Sequence, residues 1–249
     1  MGELWFGEPF LHLRNQGTIV FGGRKMSKSR GNVEAPDPYV ARYGADTLRL
    51  FLMFMGPWTE GSDWAAEGIE GVWRFLNAVW RLGLSSPTAG ERDVELERQI
   101  HRTIQKVADD LQAYRFNTAV AAMMKLENAL SAGAGPSRED GIRTLILLLA
   151  PFAPYITEEL WHRRGGSGSV HTQAWPAYDA GLAKAEEILL IVQVDGRVRD
   201  RLTVPAGLGE DEAREAALAS QKIRAHIGDR SIEKTFVVPD RLVSIVTRK

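Results

Sequence analysis

Between Ile69 and Leu82 apolar residues fall at Ile69, Val72, Trp73, Leu76, Val79 and Trp80, a spacing that predicts one face of a helix. Upstream, ADTLRLFLMFM (residues 45–55) predicts another helix, with Asp46 as candidate N-cap and Pro57 as its stop. After the loop SSPTAGER (85–92), a long helix is expected to about Leu111, and FNTAVAAMMKLENAL (116–130) predicts the next. SAGAGPSRED (131–140) reads as a linker, and a last helix is expected from near Gly141. Pro151 and Pro154 must kink or break it before it resumes in ITEELWHR. Antiparallel helices with short links predict a bundle over 61–165, with Trp73, Trp80 and Trp161 at core spacing.

The period changes after the flexible GGSGS (165–169). EEILLIVQV and RVRDRLTV read as strands flanking Asp195-Gly196, a hairpin turn signal. Arg197, Arg199 and Arg201 alternate along the second strand, so all three guanidinium groups are expected on one face. A helix over about 210–227 and two strands joined by Pro239-Asp240 complete a ββαββ unit. Residues 1–60 are irregular and turn-rich. The expected fold is multidomain, mainly α with an α+β tail. Its parts are a loop-bearing region (1–60), an antiparallel helical bundle (61–165), a linker (166–186) and the tail (187–249).

Hydrophobic residues are 44% and charged residues 25% of the 249, as in soluble globular proteins. A net charge of −1 creates no global pull toward nucleic acid or membrane, so any anion site must be local. The absence of cysteine removes disulfides and thiolate chemistry. No signal-peptide pattern opens the chain, and the longest apolar run, LILLLAPFAPYI (145–156), holds two prolines and is too short to span a bilayer. A cytoplasmic location is expected. His12, His101, His162, His171 and His226 are isolated, so no metal site is expected. Glu158 and Glu159 read as the solvent side of a helix.

Local charge concentrates in GGRKMSKSRGN (22–32). Residues 9–33 hold no acid and five basic side chains, Arg14, Arg24, Lys25, Lys28 and Arg30. Lysine ammonium groups, serine hydroxyls and backbone N–H groups on a glycine-flanked loop can grip a polyphosphate; the same composition suits a solvated basic loop. The order is not that of a Walker A loop.

The string KMSKS (25–29) is identical to the second signature of class I aminoacyl-tRNA synthetases. EPFLHLRNQG before it, KMSKSRGNVEAPDPYVARYGADTLRLFLMF around it and LLLAPFAPYITEELW (147–161) after it resemble the leucyl-tRNA synthetase family in order and spacing. The tail segments IVQVDGRVRDRLTVP and IEKTFVVPDRLVSIV resemble that family's bacterial C-terminal domain, and valyl, isoleucyl and methionyl relatives lack this ending. The chain departs from the family's usual residues at Asp195, Arg197, Ser244 and Tyr155. It holds neither the H-x-G-H type signature nor a nucleotide-binding fold before the loop, so it looks like the C-terminal part of such an enzyme: a split subunit, a truncated product or a fragment.

The resemblance implies ATP-dependent attachment of leucine to tRNA(Leu). Lys25 and Lys28 would neutralise the phosphates as catalytic cations, with Lys28 the stronger, and Met26, Ser27 and Ser29 would complete the ATP site. Magnesium would arrive with ATP, with no ligand in this chain. The bundle corresponds to an anticodon-binding domain and the tail to a tRNA-binding domain, with Arg197, Arg199 and Arg201 as candidate tRNA contacts. Leucine and ATP would be bound through a missing N-terminal catalytic part, which a separate subunit could supply; the chain alone would be inactive. The alternatives are a non-catalytic tRNA-binding module or remnant, and the corresponding part of a valyl, isoleucyl or methionyl enzyme.

Overall fold

The computed structural model describes residue 7, residues 10–184 and residues 187–248. Residues 1–6 and 8–9 of the predicted 1–60 region, residues 185–186 of the predicted linker and residue 249 lie outside the described residues. Two compact units emerge, Met1–Ala183 and Lys184–Lys249.

The first unit opens with β1 (Thr18–Phe21) and β2 (Arg24–Lys25), an antiparallel hairpin. Helices α1 (Asp37–Tyr43) and α2 (Ala45–Phe54) follow, and β3 (Gly61–Asp63) returns parallel to β1. This pairing needs glycine. A Cβ on Gly61, whose φ is +77°, would lie 2.2 Å from the Thr18 carbonyl oxygen. Helices α3 (Ile69–Leu84), α4 (Val94–Gln112), α5 (Phe116–Ala132), α6 (Gly135–Leu149) and α7 (Pro154–Arg163) then build the bundle. Leu50 and Phe51 of α2 share one core with Val72, Met123, Leu149 and Leu160. That core crosses the boundary predicted at residue 60.

Several local expectations change. Asp46 lies inside α2, not at its N-cap; its carboxylate instead accepts the Tyr155 and Ile156 N–H groups (3.4 and 2.7 Å) and so caps α7. Helix α6 starts at Gly135 within the predicted linker, because Pro136 suits a first helical turn and Ser137 and Arg138 are buried. The Ser137 hydroxyl donates to Glu97 (2.9 Å) and accepts the Asp93 N–H (2.9 Å). Trp161 is 2% exposed as expected, but Trp73 is 43% exposed and turns its ring edge toward Tyr43.

The segment 166–183 packs on the bundle where a linker was expected. Val170 enters the core, and α8 (Ala180–Ala183) lies against α4. Glu158 holds this segment, accepting the Val170 N–H (2.9 Å) and the Ser169 hydroxyl (3.0 Å), so it is not a mere solvent-facing acid.

The second unit comprises β4 (Glu187–Val194), β5 (Arg197–Pro205), α9 (Glu210–Ala219), α10 (Gln221–Ile227), β6 (Ser231–Val238) and β7 (Leu242–Arg248). The sheet order is β5-β4-β7-β6, with β4 and β7 parallel. Asp195 and Gly196 take positive φ (50° and 75°), as a type I′ turn requires. The single helix expected over 210–227 breaks at Ser220, whose ψ of 127° is extended and whose hydroxyl accepts the Ile223 N–H at 3.4 Å. Val192, Val194 and Ile245 pack one sheet face against Ala217 and Ile223 of the helices.

Candidate functional site

The hairpin delivers the basic loop. Gly22 and Gly23 both adopt positive φ (59° and 70°), and their N–H groups donate to the two carboxylate oxygens of Asp63 at 2.9 and 2.7 Å. Asp63 sits on β3, so the parallel strand pair holds the turn that begins the loop. Downstream, Asn32 folds back. Its Oδ1 accepts the Ser27 N–H (2.8 Å) and its Nδ2 donates to the Lys25 carbonyl (3.3 Å).

Between these anchors Lys28–Arg30 form one 3-10 turn, closed by Gly31 in the left-handed region (φ 67°, ψ 16°). The Ser27 and Ser29 hydroxyls lie 2.9 Å apart. Lys25, Lys28 and Ser29 are exposed, while Met26 and Ser27 are half-buried. Neither Lys25 nor Lys28 has a carboxylate partner among the described residues. The arrangement is thus a compact loop whose exposed ammonium and hydroxyl groups suit an anion, on a turn whose backbone N–H groups Asp63 already holds. Sequence reasoning missed Asp63 and the bridging role of Asn32. The acid of the GSD strand lies forty residues from the loop, and only the Gly-Asn pair hinted at a closing side chain.

In the tail unit the three arginines do not share a face. A bulge after Val192 makes Val192 pair with Asp200 but Gln193 with Val198, leaving Arg199 as the extra residue. Arg201 therefore stands opposite Ile191 and Arg197 opposite the buried Val194, on opposite sides of the sheet. The Nε of Arg199 is buried without a hydrogen-bond partner among the described residues. The face away from the helices carries Arg201 together with the exposed Leu189, Val198 and Phe236. Asp195 is occupied within the unit, accepting the Thr247 N–H (2.9 Å) and pairing with Arg230 (2.8 Å).

Comparison with known proteins places the chain among tRNA synthetases. Residues 3–64 match the family described as tRNA synthetases class I (I, L, M and V), and residues 93–214 match the anticodon-binding domain of tRNA ligase. The chain is 45% identical to the leucine–tRNA ligase of Dehalococcoides mccartyi strain 195 over 100% of its own length and 32% of the relative's. It is 47% identical to that of Herpetosiphon aurantiacus, again over 100% of the chain and 32% of the relative. A solved structure described as the ternary complex of Agrobacterium radiobacter K84 agnB2 LeuRS, tRNA and LeuAMS covers 98% of this chain and 34% of its own, with a TM-score of 0.72 and 34% identity. The chain thus spans about a third of the length of these relatives. It belongs to the leucine–tRNA ligase family of class I synthetases and corresponds to the C-terminal part of its members.

Proposed function

We propose that this chain contributes the phosphate-gripping loop and the RNA-binding surfaces of a leucine–tRNA ligase, which joins leucine to tRNA(Leu) at the expense of ATP. The observation that carries this reading is the pair Lys25 and Lys28, exposed and without acidic partners among the described residues, on a loop anchored by Asp63 and Asn32. When the leucine carboxylate attacks the α-phosphate, negative charge grows on the departing pyrophosphate. Preorganised cations aimed at that charge lower the barrier. Lys28 and Lys25 do this, the Ser27 and Ser29 hydroxyls donate to the nucleotide, and half-buried Met26 seats the loop. Magnesium arrives with ATP.

The helical unit and the tail take the tRNA, whose phosphates meet Arg201 on one face of the tail sheet and Arg197 and Arg199 at its bulged edge strand. The decisive experiment is leucine-dependent ATP–pyrophosphate exchange in a full-length synthetase carrying this segment. Lys28→Ala is expected to lower exchange at least about tenfold. An unchanged rate removes the catalytic assignment.

A further inference from the structure

A row of aromatic rings runs along the first unit, apart from the basic loop. Tyr114, at the α4–α5 turn, lies 5.9 Å from Phe116, and Phe116 stands edge-on to Trp58 at 5.2 Å. The guanidinium of Arg14 sits 4.6 Å over the Tyr114 ring. Tyr114 and Trp58 are each 38% exposed. Trp58 and Phe116 line a cavity of about 310 Å³ whose walls include Ile19, Leu52, Met53 and Met55. Its polar side chains are Gln16, Arg49 and Ser62, and no carboxylate lines it among the described residues.

Two features show that the ring row is held in place. Tyr114 adopts φ 58°, a left-handed conformation that is strained for a bulky side chain and that glycine would take freely. The fully buried carboxylate of Asp110 accepts from Arg115 (2.8 Å) and from Lys106, fixing two cations beside the same turn. Flat rings, apolar walls and the Arg49 guanidinium, with no carboxylate lining the cavity among the described residues, match an unstacked nucleobase whose neighbouring phosphate is neutralised. An apolar peptide side chain would use the walls but not the Arg49 guanidinium that lines them.

We propose that this slot receives one unpaired nucleotide of the RNA partner. Its base stacks beside Trp58 and Phe116, and the adjoining phosphates meet Arg14 and Arg115. The inference rests on the RNA-binding reading above and adds to it a site and a ligand class.

Fluorescence anisotropy of a labelled tRNA(Leu) transcript with the whole 249-residue chain tests it. Trp58→Leu and Arg14→Ala are each expected to weaken binding about tenfold, while Trp58→Phe stays near the parent value. Tyr114→Gly separates binding from folding. Relief of the positive φ should raise the melting temperature while loss of the ring weakens RNA binding. An unpaired hexaribonucleotide should compete with the tRNA more strongly for the parent than for Trp58→Leu. Parent-like affinity in both Trp58→Leu and Tyr114→Gly overturns the slot, and so does equal competition by a duplex of the same length. Absence of tRNA binding by the parent chain instead removes the RNA-binding reading itself, and the slot with it.

Discussion

Asp110 shows how one side chain can organise a turn. Burial alone pushes its carboxyl upward, but hydrogen bonds from Lys106, Thr118 and Arg115 together outweigh burial and hold it below the usual carboxylate range. A depressed folded value means stability that is present above the unfolded value of about 3.9 and lost as pH falls through the lower folded value. Asp110→Asn should therefore cost about 2 kcal/mol at neutral pH, with a smaller gap near pH 3, read by chemical denaturation at both pH values. An equal gap at both would show that shape, not charge, holds the turn. Asp46, Glu158 and Asp63 organise their surroundings differently, as carboxylates that accept backbone N–H groups from remote segments. The roles of Asp46, Glu158 and Asp63 were not legible in the sequence, because the backbone N–H groups they accept lie at least 12 residues away. KMSKS was legible because its chemistry is local and contiguous. Its anchors were not.

At the scale of elements, periodicity located the helices well but placed their faces less reliably. Trp73 sits at a core spacing yet lies 43% exposed, because the α3 face centres on Val72, Phe75, Leu76 and Val79. The strand parity that grouped Arg197 with Arg201 failed for one reason: a single extra residue at Arg199 inverts every side chain beyond it. The hairpin turn at Asp195-Gly196 was legible because positive φ at both positions favours these residue types. Close approach of backbones is a third kind of information, carried at the β1–β3 pair by Gly61 and by Gly17 beside it. Gly61→Ala would place a methyl group against the Thr18 carbonyl and break the β1–β3 pair. In a full-length synthetase this substitution should lower ATP–pyrophosphate exchange severalfold, while the helical circular-dichroism melt changes by only a few degrees. Normal exchange would show that the strand pair does not set the loop.

At the scale of the whole molecule, each unit owns a core: one built on the helices of the bundle, the other on a four-stranded sheet with two helices. Removing residues 187–249 should therefore leave the melting of the first unit intact. In a complete synthetase it should weaken tRNA charging at least severalfold while largely sparing adenylate formation. Equal loss of both activities would assign the tail a purely structural role. The division into bundle and tail was visible as a change of hydrophobic period, whereas the docking of 166–183 was not, since glycines and serines there mask a single core anchor, Val170. The pinning of the Gly22-Gly23 turn by Asp63 also decides what can be exchanged between relatives. Transplanting KMSKS alone would import ammonium groups without their scaffold. The portable cassette runs from Gly17 to Asp63, because the acid that sets the loop enters the chain only at its last residue.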